Sequence, residues 1–206
     1  KFKQIKEQAK VYKNEFGIKT EIYTKEQFDE IGHGGTEQFG ALSYKPGFAI
    51  NPLKFVNGIA RYAIAKKLRI FEHTLVKKVN KIDSSYILRT KEGSVKTKKI
   101  VVATNGFYQE GLVPQMNSRI LPVISNIIVT RKLTKTEIDY HNFKTFSPIA
   151  NTKNLLYYYR KLPDNRILFG TRGDFIGSDK SNLDRSKIME KFLKNIFPEW
   201  SNISID

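Results

Sequence analysis

A chain of 206 residues, with 40% apolar and 12% aromatic side chains, can fold around its own core, which excludes a disordered protein. It contains no cysteine, so disulfides, thiol nucleophiles and cysteine–metal sites are excluded as well. The net charge of +16 raises the question of an anionic partner, but the lysines are spread along the chain without a nucleic-acid-binding motif.

The sequence predicts no membrane-spanning helix, no signal peptide and no metal site. No apolar run approaches the roughly 20 residues of a membrane-spanning helix, and the first residues lack the apolar core of a signal peptide. The three histidines are far apart and lack metal-ligand spacing, so no metal site is predicted. Because the sequence predicts neither a membrane-spanning helix nor a signal peptide, we expect a cytoplasmic protein.

The first fifty residues begin with a helix. Apolar side chains repeat at helical spacing up to Phe16, and Gly17 is well placed to end the helix. Residues 18–31 indicate a short strand and a helical turn. Residues 32–50 are rich in glycine and aromatic residues, and we expect residues 41–44 and 48–50 to pair around Pro46-Gly47.

The best-defined helix of the sequence comes next. Asn51 and Pro52 suit its N-cap and its first helical position. Its apolar spacing predicts one buried face that ends near Lys67 and comprises Leu53, Val56, Ile59, Ala60, Ala63 and Ile64.

Several short strands follow this helix. Residues 69–73 are predicted to form a strand, and the apolar segment at residues 75–79 follows it. Residues 86–90 and 95–103 flank a hairpin turn, which gives a three-stranded antiparallel meander. The last strand ends in the apolar run 100–103, which is typical of a strand buried on both faces of a parallel sheet.

The turn after this apolar run is the first candidate for a binding site. Thr104, Asn105 and Gly106 are small turn residues that can offer free N–H groups at the end of a strand, where α/β sheets usually bind nucleotides. An ordinary strand-to-helix turn has the same composition, so the motif alone leaves both interpretations open.

The last third of the chain predicts a second group of strands. Residues 119–131 indicate a long strand and residues 134–153 a loop. Residues 155–160 and 166–170 indicate a hairpin, and residues 184–197 a closing helix.

Side chains alternate in the first strand of that hairpin. In an extended strand, Leu156, Tyr158 and Arg160 share one face, while Tyr157 and Tyr159 share the other. An arginine suits binding of a carboxylate because its guanidinium donates two parallel hydrogen bonds. A solvent-facing arginine beside a ladder of sheet tyrosines is the alternative interpretation.

Four segments carry a family resemblance: GALSYKPGFAINPLKFVNGIARYA, LRIFEHTLVKKV, KIVVATNGFY with the later RILPVISNIIVT, and YYYRKLPDNRILFGTR. In order and spacing they resemble the middle section of the D-amino acid oxidase, glycine oxidase and sarcosine oxidase family of FAD-dependent oxidoreductases. The nearest subgroup is the γ-glutamylputrescine oxidoreductase type. No single segment is specific, but the four in register cover nearly all of the chain.

The resemblance implies FAD as the cofactor and assigns residues to it. It implies that backbone near Val76 lies against the adenine ring, whereas the residue alone indicates only a core valine. It also implies that the turn formed by Ala103, Thr104, Asn105 and Gly106 passes close to the dinucleotide.

The resemblance further implies a separate antiparallel sheet that covers the flavin and binds the substrate. We expect Tyr158 and Arg160 to be substrate-binding residues, with Arg172 as a third. No catalytic residue is assigned, because the resemblance places the redox chemistry on the flavin.

The predicted fold class is α+β, with part of an α/β FAD-binding domain beside an antiparallel substrate domain. Residues 1–17 and 52–118 are assigned to the FAD-binding domain, residues 18–51 and 119–183 to the substrate domain, and residues 184–206 to a closing helix that returns towards the FAD-binding domain.

The predicted activity is oxidation of the C–N bond of a small amine or amino acid by hydride transfer to FAD. The family's glycine-rich GxGxxG loop does not occur in the sequence, so the chain is expected to be a fragment that is inactive alone. The alternative is a basic, non-catalytic α+β module that binds an anionic partner such as nucleic acid. We expect a small-molecule substrate and no nucleic acid.

Overall fold

The computed structural model describes residues 2–45, 47–154, 156–174 and 178–206. Its helices and antiparallel sheets confirm the predicted α+β class. The chain divides into a larger unit, Lys1–Ala49 with Ile124–Asp206, and a smaller unit, Ile50–Val123. In the part of the chain that is described, no helix combines the length and the apolar character that crossing a bilayer requires.

The larger unit contains four helices and six strands among its described residues. In chain order they are α1 (Phe2–Phe16), β1 (Thr20–Tyr23), α2 (Lys25–Ile31), β2 (Ala41–Tyr44), β3 (Ile124–Val129), α3 (Lys135–Tyr140), β4 (Ile149–Ala150), β5 (Tyr157–Lys161), β6 (Ile167–Asp174) and α4 (Asp179–Ile196). A short 3-10 helix, Pro198–Trp200, follows α4.

The first helix ends as its sequence predicts. Gly17 has a φ of +64° and donates its N–H to the carbonyl of Lys13, an arrangement that favours glycine at the end of a helix. The helix buries Ile5 and Ala9 and packs against β1 and β2, which pair antiparallel. Strand β2 therefore pairs with β1, and the predicted pairing of residues 41–44 with residues 48–50 is wrong.

A four-stranded antiparallel sheet with the order β3-β6-β5-β4 forms the centre of the larger unit. The predicted hairpin is confirmed as β5 and β6, although Leu155 lies outside the described residues. Residues 134–153 contain α3 and β4 and are not simply a loop, because Thr134 caps α3 with its side chain. The strand predicted at residues 119–131 is shorter, with β3 starting at Ile124.

One face of this sheet forms the core of the larger unit, together with α4 and the 3-10 helix. This core contains a network of aromatic rings among its aliphatic side chains, and several of the rings stack or meet edge to face. The most deeply buried aromatic members are Phe143, Phe169, Phe197 and Trp200.

A histidine lies inside this aromatic core. His33 is fully buried, and its Nε2 is 2.9 Å from the hydroxyl of Tyr159. Burial, together with the nearby His141, lowers the pKa of His33 to about 4, while Asp29 opposes the shift. The folded protein therefore holds His33 in its neutral form at neutral pH.

We expect the larger unit to lose stability in mild acid because of His33. The pKa of His33 is lower in the folded state than in the unfolded state. Its contribution to the unfolding free energy is therefore present above about pH 6.5 and is lost as the pH falls towards 4. Linkage gives a loss of about 2 kcal/mol in unfolding free energy between about pH 7.5 and pH 5. Urea denaturation at both pH values measures it.

The matched variants are His33→Phe and His73→Gln. His33→Phe removes the titrating ring, so its unfolding free energy should change less with pH, whatever its absolute stability. His73 is exposed and lies in the smaller unit, so His73→Gln controls for the loss of a histidine outside the aromatic core. An equal pH dependence in His33→Phe and wild type would contradict the assignment.

The smaller unit contains one α-helix, α5 (Pro52–Ala65), and a three-stranded sheet among its described residues. Asn51 caps the helix by accepting a hydrogen bond from the N–H of Lys54 at 3.0 Å, as predicted. The sheet is the predicted antiparallel meander, formed by β7 (Lys78–Ile82), β8 (Ser85–Arg89) and β9 (Ser94–Thr97). Two 3-10 helices, Asn105–Phe107 and Pro114–Met116, follow the sheet.

Three predictions about burial and strands in the smaller unit are wrong. Residues 100–103 form no strand, and Val101 is 90% exposed, because no described segment pairs with them. Residues 69–73 also form no strand. The apolar face predicted for α5 is not buried, because none of the described elements packs closely on this helix.

The predicted parallel sheet is not found among the residues that the structure describes. All strand pairs in the described part of the chain are antiparallel, so no parallel sheet forms there. Helix α1 packs in the larger unit, with the antiparallel strands. The assignment of the chain to an FAD-binding and a substrate domain remains a prediction.

Candidate functional site

The candidate substrate site is the face of the four-stranded sheet that points away from the aromatic core, here called the open face. Side chains alternate along β5 as predicted, with Tyr157, Tyr159 and Lys161 buried and Tyr158 and Arg160 half-buried. Directly opposite residues of an antiparallel pair point to the same side, so the register assigns the remaining members. They are Ser125, Ile127, Val129, Ala150, Leu168, Gly170 and Arg172.

The buried neighbours of these residues have core roles. Tyr159 contacts His33, and burial raises the pKa of the Tyr159 hydroxyl. Lys161 donates to the backbone carbonyl of Phe143 and lies over the ring of Phe146, and burial lowers the pKa of its ammonium. The candidate site residues of β5 therefore lie on the open face.

Tyr158 lies at the centre of the open face. It is opposite Gly170, and its hydroxyl is 2.5 Å from the Oγ of Ser125 on β3. The side chain thus reaches from β5 across β6 to β3. This contact fixes the position of the tyrosine hydroxyl on the sheet.

Arg160 and Arg172 lie on either side of Tyr158 along the sheet. Arg160 is opposite Leu168, and Arg172 is four residues further along β6, a separation of roughly 13 Å along the strand. Neither guanidinium has a hydrogen bond or ion pair with any residue that the structure describes. Two unpaired cationic forks beside a tyrosine hydroxyl can bind a carboxylate.

The residues assigned to the cofactor lie in the smaller unit. Val76 is half-buried just before β7, and its backbone N–H and C=O form no hydrogen bond within the described chain, whereas the next N–H, of Lys77, donates to Arg89 at 2.8 Å. A free N–H and C=O pair of this kind fits the edge of an adenine ring.

The turn at Ala103, Thr104, Asn105 and Gly106 is exposed. Asn105 begins the 3-10 helix with a φ of +50°, and the carbonyl of Thr104 accepts a hydrogen bond from Phe107 at 3.0 Å. The N–H groups of Thr104, Asn105 and Gly106 have no acceptor in the described part of the chain. These free donors fit an anionic or hydroxylated part of a dinucleotide.

The sequence alone did not identify two members of the open face, Ser125 and Gly170. A signal for Gly170 was available in the sequence, because glycine inside a strand often marks the close approach of another group. Ser125 carried no such signal, since its relation to Tyr158 depends on strands that are far apart in the sequence.

Comparison with known proteins confirms the family resemblance. Residues 1–205 match the family model of FAD dependent oxidoreductase. The chain is 28% identical over 167 residues to gamma-glutamylputrescine oxidoreductase of Escherichia coli (strain K12), a match covering 81% of this chain and 38% of the relative. It is 29% identical over 160 residues to the probable oxidoreductase OrdL of Haemophilus influenzae, covering 76% of this chain and 36% of that protein. The chain thus spans little more than a third of these relatives.

Solved structures show the same fold. Glycine oxidase from Geobacillus kaustophilus superposes with a TM-score of 0.69 at 15% identity, over 98% of this chain and 52% of that chain. NikD, an unusual amino acid oxidase essential for nikkomycin biosynthesis, gives a TM-score of 0.63 at 13% identity, over 94% of this chain and 51% of that chain.

Proposed function

This chain belongs to the family of FAD-dependent oxidoreductases, and we propose that it forms part of an enzyme that oxidises the C–N bond of an amine or amino acid. The names of its relatives support this substrate class, since one is a gamma-glutamylputrescine oxidoreductase. Because the chain spans about a third of those relatives, the activity is proposed for the protein that carries it. Family membership favours the enzyme over a basic, non-catalytic binding module. The cytoplasm remains the predicted location.

The observation that carries the proposal is the arrangement of Arg160, Tyr158 and Arg172 on the open face. In a sheet whose other face is a closed aromatic core, two arginines that have no partner among the described residues can offer their donors to a ligand. Arg160 is half-buried, so its hydrogen bonds to a carboxylate are less weakened by water than those of exposed Arg172. We assign Arg160 as the main carboxylate-binding residue.

FAD is the cofactor that this function requires. When bound, it supplies a hydride acceptor for the carbon next to the substrate nitrogen. In the smaller unit, Val76 would contact the adenine through its backbone. Ala103, Thr104, Asn105 and Gly106 would contact the dinucleotide through the turn, whose free donors fit it.

The residues of the open face bind and orient the substrate. Arg160 fixes the plane and direction of the carboxylate through a two-point contact, which limits the orientations open to the rest of the molecule. Tyr158 adds a hydroxyl for hydrogen bonding and an apolar ring that excludes water. These residues position the substrate and carry no proton transfer of their own in this proposal.

The test is anaerobic reduction of the FAD-loaded protein that carries this chain. We expect amino acids or amino-carboxylates to bleach the visible absorbance of the oxidised flavin, while the matched hydroxy acids, which carry a hydroxyl in place of the amino group, leave it unchanged. Alanine with lactate, and 4-aminobutyrate with 4-hydroxybutyrate, are suitable pairs. Bleaching by the hydroxy acids alone, or by no nitrogen compound of a broad panel, would contradict C–N oxidation.

A further inference from the structure

Tyr158 lies along the sheet instead of standing up from it, which is unusual because side chains normally project roughly perpendicular to a sheet. We propose that Gly170 and Ser125 are positioning residues that hold Tyr158 in this orientation and so keep the open face accessible to the substrate between Arg160 and Arg172. The inference rests on the proposed function of the open face.

Gly170 provides the space that the tyrosine ring occupies. A Cβ at position 170 would lie 2.3 Å from Cζ, 2.4 Å from Cε2 and 2.5 Å from the hydroxyl oxygen of Tyr158, all far below a van der Waals contact. The backbone of Gly170 does not have a positive φ, so alanine could adopt its conformation. The ring of Tyr158 is therefore the reason that this strand position needs glycine.

Ser125 holds the far end of the same side chain. Its Oγ is 2.5 Å from the Tyr158 hydroxyl and 3.5 Å from the carbonyl of Thr171, which it approaches as a donor. The tyrosine hydroxyl is thus tied to β3 while its backbone belongs to β5. With Gly170 between them, the two contacts leave little freedom for the ring.

The orientation of the ring decides what the two arginines can reach. Tyr158 is opposite Gly170, midway between the positions of Arg160 and Arg172 along the strands. A ring displaced upward by a larger side chain at position 170 would stand between the two guanidinium groups. Laid flat, it leaves the space above the sheet free and presents its hydroxyl at a fixed point.

The variants are Gly170→Ala, Ser125→Ala and Ser125→Thr, each measured in the protein that carries this chain. We expect Gly170→Ala to raise KM for an amino-carboxylate about tenfold or more, since it displaces the ring. Ser125→Ala should raise KM about fivefold, the usual effect of one hydrogen bond, and Ser125→Thr should restore it because it keeps the hydroxyl. In all three, kcat should stay within about twofold, as expected for groups that affect binding only.

Two controls separate positioning from general damage to the fold. Gly93→Ala, at a glycine whose Cβ would meet nothing within 4 Å, should behave as wild type. In a Tyr158→Ala background, neither Gly170→Ala nor Ser125→Ala should raise KM further, because the side chain they position is gone. Full additivity in that background would overturn the proposal.

A readout that does not depend on activity is the ¹⁹F NMR spectrum of the 3-fluorotyrosine-labelled protein. The Tyr158 resonance is the one that disappears in Tyr158→Phe. We expect it to shift in Gly170→Ala and in Ser125→Ala and to return in Ser125→Thr; an unshifted resonance in both alanine variants would overturn the positioning role. If no amine reduces the flavin, the proposed function fails, but this spectrum still shows whether Gly170 and Ser125 hold Tyr158 in place. A shifted resonance with an unchanged KM would overturn the link between the orientation of Tyr158 and substrate binding.

Discussion

Replacing Arg160 by alanine in the protein that carries this chain is expected to lower kcat/KM for carboxylate-bearing amines. The expected loss of transition-state binding energy is about 2–5 kcal/mol. Arg160 is half-buried on the open face and has no partner within the described chain, so a bound carboxylate would lose its two-point contact. Arg160→Lys keeps the charge without the planar fork and should fall between alanine and wild type. Steady-state kinetics with several carboxylate substrates measures the effect.

The matched control for this prediction is Arg166→Ala on the same hairpin. Arg166 is paired with Asp164 at 2.8 Å in the turn, so its loss should leave kcat/KM unchanged. Substrates without a carboxylate should be insensitive to Arg160→Ala as well. Unchanged kcat/KM towards every carboxylate-bearing substrate would remove Arg160 from the site.

The 206-residue chain by itself is expected not to retain FAD through a desalting column. Its available contacts are the backbone at Val76 and the turn at residues 103–106, neither of which is a GxGxxG loop at the start of a helix. Each charge-assisted hydrogen bond that such a loop gives to the pyrophosphate contributes about 1.5–3 kcal/mol. Losing two of these bonds, about 3–6 kcal/mol, would raise a micromolar dissociation constant to about 0.2 mM or higher.

The measurement is the visible absorbance of the purified chain after incubation with FAD and desalting. A known FAD-dependent oxidase passed through the same column is the positive control and should remain yellow. A soluble chain that retains stoichiometric flavin would show that a glycine-rich loop is not needed for binding, and the contacts assigned to the cofactor would have to be revised.

Local signals in the sequence predicted local structure well. Asn51 with Pro52, and Gly17 after the first helix, act through atoms within a few residues, so their patterns hold in the fold. The alternation of Tyr158 and Arg160 with buried neighbours is equally local, since it follows from the geometry of one extended strand.

Burial could not be predicted with the same success, because it depends on which distant segment covers a residue. Residues 100–103 and the apolar side of α5 have the composition of buried elements, yet no described segment covers them. The contact between Ser125 and Tyr158 likewise joins strands 33 residues apart. The roles assigned to the site residues remain predictions that the proposed experiments test.

The alternation along β5 has a consequence for how related proteins can diverge. Deleting or inserting one residue within this strand would turn Arg160 and Tyr158 into the aromatic core and bring its buried tyrosines to the ligand side. Changes of length should therefore be tolerated in the turn around Asp164, where the chain is exposed, and rejected within the strand itself. Lineages that acquire new substrates are expected to do so by exchanging side chains on one side of a strand of fixed length.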